Sequence, residues 1–148
     1  MNTYTETKEG SYLFNGMSIP NAEGNRHYRQ MLLEISNGEG TLTSYVEPVP
    51  TPEEKIAAIR DSVGSHIETI AKSAGDFGFD SILSAVSYVG GDALDVNVIY
   101  GTALFNYREA CWETARLMLV DWQTGGAEFT PEEAVAQMPL WSDFEPEV

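Results

Sequence analysis

A proline-rich stretch is the feature that most constrains how this chain folds. Three prolines fall within the six residues Glu47–Pro52. Proline has a fixed φ angle and no backbone N–H donor, so this stretch continues neither a helix nor the centre of a sheet. We therefore predict a linker at 48–52 that joins a small module at 1–47 to a larger module at 53–148.

Residues 11–19 are typical of a β-hairpin. The apolar run Tyr12–Phe14 is followed by Asn15 and Gly16, and the run Met17–Ile19 comes next. An Asn-Gly pair suits the positive φ angles of a tight two-residue turn between antiparallel strands. The first module therefore contains at least one pair of short strands.

Three further segments of the first module are predicted around this hairpin. The polar residues 1–10 are expected to form a flexible lead. Residues 25–36 carry apolar side chains at helical spacing and end at Asn37-Gly38, a common helix stop. Residues 41–46 favour one more short strand.

The second module opens with a strong helix-start signal. Thr51 stands where an N-cap is needed, Pro52 takes the first helical position, and Glu54 completes a capping box. Apolar residues then recur at steps of three and four, which predicts an amphipathic helix that ends near Gly75. These residues are Ile56, Ile59, Val63, Ile67, Ile70 and Ala74.

Three more helices follow in the sequence. A short one is predicted at 78–88, with Asp80 as its N-cap. A long one is predicted at 93–124, because glycine pairs bound it on both sides. The start signal of the first helix recurs at Thr130, and this last helix stops at Pro139. The predicted fold class is therefore α+β, with a small N-terminal β-hairpin and helix module before a mainly α-helical C-terminal bundle.

The long helix carries two apolar stripes. On a helical projection, an ordinary core stripe surrounds Cys111. Its other members are Val96, Tyr100, Leu104, Tyr107, Ala115, Met118 and Trp122. The second stripe lies beside the first, and Arg108 and Arg116 flank it. Its members are spaced by seven: Val98, Phe105, Trp112 and Leu119.

Two interpretations of the second stripe stay open at this point. Two neighbouring helices of the same domain would bury both stripes of a central helix. Alternatively, the second stripe is an exposed surface that binds a partner through aromatic and arginine anchors. The residues predicted to bind a partner are Val98, Phe105, Arg108, Trp112, Arg116, Leu119 and Trp141.

The net charge of the chain argues against two classes of binding partner. The chain carries 23 acidic and 8 basic residues, a net charge of −15. Residues 1–47 hold three bases and six acids (net −3), and the remainder holds five bases and seventeen acids (net −12). Neither a nucleic-acid backbone nor an anionic membrane surface is an expected partner, because both require Lys and Arg. Polar residues at the N-terminus and the lack of a long apolar run predict neither an export signal nor a membrane span.

Catalytic patterns are missing from the sequence. His27 and His66 do not stand at metal-ligand spacing with Cys111, and no HExxH, CxxC or phosphate-binding loop is present. A nucleophilic pair of Cys111 with a histidine is the one arrangement that the sequence leaves open. We expect a protein that is not an enzyme, with no cofactor, no metal and no small-molecule substrate.

Four segments together resemble a known family. They are Ile19-Pro20 with Asn25-Arg26-His27-Tyr28, Phe79–Tyr88, Phe105–Trp112, and Thr130–Glu133 with Gln137-Met138-Pro139. In this order and spacing they are similar to segments of small tail proteins of tailed bacteriophages, the tail-fibre assembly chaperones and fibre accessory proteins. The resemblance covers most of residues 12–140.

The resemblance implies a function. It implies a bacteriophage tail-fibre assembly chaperone or fibre-associated accessory protein, whose partner is a tail fibre protein, expected to be trimeric. The chain would act in the host cytoplasm during assembly. The alternative is a permanent structural component of the virion tail fibre or baseplate. The net charge of −15 also suggests a third hypothesis, in which the chain is an acidic inhibitor that mimics nucleic acid.

Overall fold

The chain folds into two compact units with different secondary structure. The structure, a computed structural model, describes residues 1–76 and 78–147. The units are Met1–Val49 and Pro50–Val148, so the division falls inside the predicted proline-rich linker. A four-stranded sheet lies in the first unit and most of the helices in the second, which confirms the α+β class.

The first unit combines a mixed sheet with one helix. Its elements are β1 Asn2–Glu6, β2 Tyr12–Phe14, β3 Met17–Ile19, α1 Arg26–Ser36 and β4 Gly40–Thr43. The strand order is β3-β2-β1-β4. β2 pairs antiparallel with both β1 and β3, whereas β4 pairs parallel with β1. Helix α1 lies between β3 and β4 in the chain, and it carries the chain back so that β4 runs parallel to β1.

Local sequence signals explain the hairpin and α1. Asn15 and Gly16 have φ angles of 49° and 79°, as the predicted tight turn requires. The Asn25 side chain accepts hydrogen bonds from the backbone N–H groups of His27 and Tyr28, which caps α1. The hairpin and the short helix are both confirmed.

The expectation of a flexible lead at residues 1–10 was wrong. Residues 2–6 form β1, an interior strand between β2 and β4. Tyr4 is 3% exposed and lies in a small core with Ile19 and Met31. Threonine and tyrosine alternate here, a composition that favours strands although few of the residues are aliphatic.

In its described residues, the second unit contains four helices and a short 3-10 turn. They are α2 Pro52–Ser73, α3 Ile82–Val86, α4 Val96–Gln123, α5 Pro131–Ala136 and the turn Trp141–Asp143. The capping boxes predicted at Thr51 and Thr130 are both present. α3 is shorter than predicted, and Ser81 caps it instead of Asp80, through a bond from the backbone N–H of Ser84 at 3.1 Å. Among the described helices, none has the length and apolar character that a bilayer span requires.

One core holds these helices together. α2 and α4 provide most of its fully buried side chains, and α3 and α5 contribute further buried residues. The members on α2 and α4 are Ile59, Val63, Ile67, Ala71, Leu104, Tyr107, Cys111 and Ala115. α2 therefore buries the face that its three-and-four spacing predicted.

Two glycines inside helices differ in how closely a neighbouring element approaches them. A Cβ atom added to Gly101 on α4 would lie 2.4 Å from the carbonyl oxygen of Ala85, so α3 packs directly on the α4 backbone. A Cβ atom added to Gly64 on α2 would lie 4.0 Å from the Trp112 ring, an ordinary contact distance. Only Gly101 is needed for close helix packing.

Alanine substitutions at these glycines should therefore have opposite effects. Gly64→Ala should raise the free energy of unfolding by about 0.5–1 kcal/mol, because alanine restricts the unfolded chain and fits the helix. Gly101→Ala should lower it by about 1–3 kcal/mol, because the added methyl group forces α3 away. Urea denaturation followed by tryptophan fluorescence measures both, since all three tryptophans lie in this unit. A stabilised Gly101→Ala variant would contradict the packing described.

A carboxylate cluster ties α1 to β1 in the first unit. The Glu34 side chain accepts hydrogen bonds from Asn2 at 2.7 Å, Tyr4 at 2.6 Å and Gln30 at 2.8 Å. These bonds lower the pKa of Glu34 from 4.5 to about 2. Burial, together with the bond to Glu34, raises the pKa of Tyr4 to about 12.

This cluster should make the first unit sensitive to acid. The folded pKa of Glu34 lies below its unfolded value, so its stabilising effect is complete above pH 4.5 and declines as the pH falls towards about 2. Glu34→Gln should flatten this decline, measured by urea denaturation of the full chain with the β1 amide resonances as reporter. Glu23→Gln, an exposed change of equal charge, is the control. Equal pH dependence in the two variants would contradict the assignment.

Candidate protein-binding surface on helix α4

Helix α4 buries one face against the core of its unit. Leu104, Tyr107, Cys111 and Ala115 are all 3% exposed or less. Val96, which the sequence placed on the same stripe, is exposed, because it is the first residue of the helix after the Asp95 cap. The stripe around Cys111 therefore belongs to the core only from the second turn of α4 onward.

Trp112 lies at the edge of this buried face. Its ring packs against the core and passes close to Gly64 of α2, where no side chain intervenes. A shallow open groove runs beside it along α2. Its lining residues are Arg60, Asp61, Gly64, Ser65, Glu68, Thr69, Lys72 and Trp112. An indole with one edge in the core and one in an open groove is positioned as an anchor for a partner.

Basic residues gather around Trp112 although the unit is strongly acidic. Residues 50–148 contain only five bases. Arg60 and Lys72 line the groove, and Arg108 and Arg116 stand four residues before and after Trp112 on the same helix face. Four of the five bases therefore line this groove or lie one helical turn from Trp112, and the acids Asp61, Glu68, Glu109 and Glu113 lie among them.

The two arginines of α4 differ from the two bases of the groove. Arg116 forms a two-pronged contact with Glu113 at 2.7 and 2.8 Å, and these bonds lower the pKa of the Glu113 carboxyl. Arg108 lies 3.7 Å from Glu109. Within residues 1–76 and 78–147, neither Arg60 nor Lys72 forms an ion pair. Arg60 and Lys72 are thus cations of the groove that no described carboxylate pairs with, and Asp61 and Glu68 line the same groove.

The structure distributes the remaining predicted residues unevenly. Phe105 is 38% exposed on α4, one helical turn before Arg108. Leu119 is half-buried and packs against the core. The accessible part of the predicted site therefore comprises Phe105, Arg108, Trp112 and Arg116, with Leu119 contributing only an edge.

Two predicted contact residues do not belong to this surface. Val98 is only 8% exposed, and a Cβ atom added to Gly91 would lie 2.9 Å from its side chain. The connection before α4 covers this end of the second stripe. Trp141 packs edge-on against Tyr107, with ring centroids 5.5 Å apart, on the core stripe of α4. Its role is to seal the core.

Sequence reasoning missed another accessible apolar side chain of α4. Leu117 is 53% exposed and lies outside both stripes. Its angular position, about 120° around the helix axis from Phe105, was available from the sequence. It was overlooked because it does not recur at heptad spacing.

The one pairing of nucleophile and base that the sequence left open does not assemble. Cys111 is 0% exposed, and burial raises the pKa of its thiol. His66 instead shares a hydrogen bond with the Tyr107 hydroxyl at 2.8 Å. A buried thiol of raised pKa holds little thiolate and is a poor nucleophile. In the part of the chain that the structure describes, no three His, Cys, Asp or Glu side chains cluster as a metal site would require.

Comparison of the chain with protein-family models, with curated proteins and with solved structures gives no match. The surface around Trp112 is therefore characterised by its own chemistry. It combines two aromatic rings, four bases with acids among them and an open groove, which suits binding of a protein.

The burial of Cys111 has a direct chemical consequence. The folded protein should react with a thiol-specific reagent at least about a hundredfold more slowly than the urea-unfolded chain, because labelling requires opening of the core. A chromogenic reagent releases a coloured leaving group on reaction with the thiol, and the absorbance of that group measures both rates. Similar rates for the folded and unfolded chain would show that the thiol is accessible and would contradict the packing around Tyr107.

Proposed function

We propose that this chain is a bacteriophage tail-fibre assembly chaperone or fibre-associated accessory protein. Its partner is the tail fibre protein, expected as a trimer, and the contact is the α4 surface formed by Phe105, Arg108, Trp112 and Arg116. Two observations support the proposal. One is the ordered resemblance of residues 12–140 to small phage tail proteins. The other, which carries most weight, is an accessible aromatic surface on which four bases balance the neighbouring acids of an otherwise acidic unit.

The physical mechanism is coverage of a fibre surface. An unassembled fibre subunit exposes apolar side chains and strand edges that aggregate until the trimer forms. Trp and Arg are the residue types that dominate binding energy at protein interfaces, and Phe adds apolar area. A surface of this kind masks apolar fibre segments, and its cations select segments that also carry carboxylates.

The fate of the protein after assembly distinguishes the two forms of the proposal. A chaperone acts in the host cytoplasm and leaves before the particle is complete. An accessory protein stays bound at the fibre or baseplate. Mass spectrometry of purified particles separates them, because only the accessory protein is found in the virion in fixed ratio to the fibre.

Coexpression with a tail fibre protein from the same genome tests the contact surface. The wild-type protein should raise the yield of soluble trimeric fibre and copurify with its subunit. Phe105→Ser combined with Arg116→Ser should weaken copurification by about tenfold or more, because it removes an aromatic and an arginine contact. Both side chains are accessible, so the helical fold should persist, which circular dichroism checks.

Leu117→Ser is the matched control on the same helix. Leu117 is at least as exposed as Phe105 but faces another direction, so its loss should leave fibre binding unchanged. Equal loss of binding in both variants would assign the effect to α4 stability. No effect of the wild-type protein on trimer yield, and no copurification, would reject the proposed function.

A further inference from the structure

The outer edge of β4 is an unusual feature of the first unit. β4 is the last strand of the sheet, and β1 is its one partner strand in the part of the chain that the structure describes. The segment Gly40–Val46 carries no charge and no proline. Residues 41–46 are all exposed, including Leu42 at 41%. Natural sheets protect such edges with lysine, proline, bulges or brevity, and this edge has none of the first three.

The opposite edge of the same sheet shows the usual protection. β3 has only three residues, Met17–Ile19, and Pro20 follows at once. Proline cannot donate to a further strand, so pairing there ends after a few residues. The contrast indicates that the β4 edge is kept open for pairing.

The hydrogen bonds of β4 show which backbone groups point outward. The Asn2 N–H donates to the Glu39 carbonyl at 2.9 Å, and the Tyr45 N–H donates to the Glu6 carboxylate at 3.3 Å. Groups on a strand alternate sides, so odd-numbered residues of this segment face β1. The backbone groups of Gly40, Leu42 and Ser44 therefore face away from the sheet, and no backbone partner for them lies among the described residues.

We propose that this edge pairs with the same edge of a second copy of the chain. The pairing is antiparallel, about a two-fold axis at Leu42. In the segment Gly40–Ser44, a leucine stands at the centre, a threonine on each side of it and a small residue at each end. The segment is therefore chemically symmetric about Leu42. A two-fold contact places each residue opposite its mirror position, which requires this kind of self-complementarity.

The register follows from the outward-facing groups. Gly40 lies opposite Ser44 of the second copy, and Leu42 lies opposite its own counterpart. All three outward-facing residues then exchange backbone bonds, about six in total. Thr41 faces Thr43 of the other copy, a pair that suits neighbouring strands. The two four-stranded sheets become one continuous sheet of eight.

Charge does not oppose a second copy at this edge. Each chain carries a net charge of −15, so two copies repel each other over most of their surfaces. The uncharged edge is a place where their backbones approach without opposing carboxylates. This contact involves the first unit alone and does not depend on the function proposed for α4.

Sedimentation velocity across the micromolar range tests the dimer. The wild-type chain should associate, and Leu42→Lys should weaken association by about tenfold or more, because it places two like charges opposite each other on the axis. Leu33→Lys, the same substitution at an exposed position of α1, should leave association unchanged. A second variant, Ser44→Pro, removes an outward-facing donor without removing a bond to β1 and should also weaken association.

Hydrogen exchange identifies the contact within the dimer. The amides of Gly40, Leu42 and Ser44 should exchange at least about tenfold more slowly as the dimer forms. The amides of Thr41 and Thr43 already face β1, so their protection should not change, and in the variants it reports that the sheet is intact. Three results would overturn the proposal: a chain that stays monomeric at the highest concentration, a dimer that survives Leu42→Lys, or edge amides that gain protection only when a strand of another protein is added.

Discussion

The second unit depends on the packing of one face of α4 against α2. Tyr107 is at the centre of this contact. It is fully buried, its hydroxyl shares a hydrogen bond with His66 of α2, and its ring receives the edges of Trp141 and Phe144. A buried phenol without a partner would be costly, so the bond to His66 helps to fix the relative position of α2 and α4. The same residue holds the segment after α5 in place, so a single side chain fixes both α2 and this segment against α4.

What remains accessible on α4 is a consequence of this packing. α2 and the C-terminal segment cover the sides nearest Cys111, and α3 covers the early turns through its contact at Gly101. The middle of the second stripe stays open because α3 spans only five residues. Trp112 therefore has one edge in the core and the other in the groove beside α2, and the two interpretations of the second stripe each hold for part of its length.

The structure shows which parts of a sequence can be interpreted locally. Both capping boxes, the Asn-Gly turn and the core face of α2 were predicted correctly, since each depends on residues close together in the chain. β1 was missed because few of its residues are aliphatic and because one of its two partner strands, β4, lies almost forty positions away. The burial of Val98 was missed for a related reason. A helical projection gives the direction of a side chain but not the length of the element that covers it.

The two accessible surfaces differ in chemistry but address the same physical problem. A chain of net charge −15 repels other acidic proteins, and the repulsion acts over roughly a Debye length of 8–10 Å at physiological salt. Close association therefore requires a surface on which acidic side chains are absent or balanced. The Trp112 region meets this condition by concentrating bases in an acidic unit, and the β4 edge meets it by carrying no charge at all. The first arrangement favours partners that supply carboxylates and apolar groups, whereas the second accepts any extended backbone of suitable shape. The β4 edge carries no charge and so does not select partners by charge. The symmetry of the segment Gly40–Ser44 is therefore the property that makes a second copy its best-matched partner.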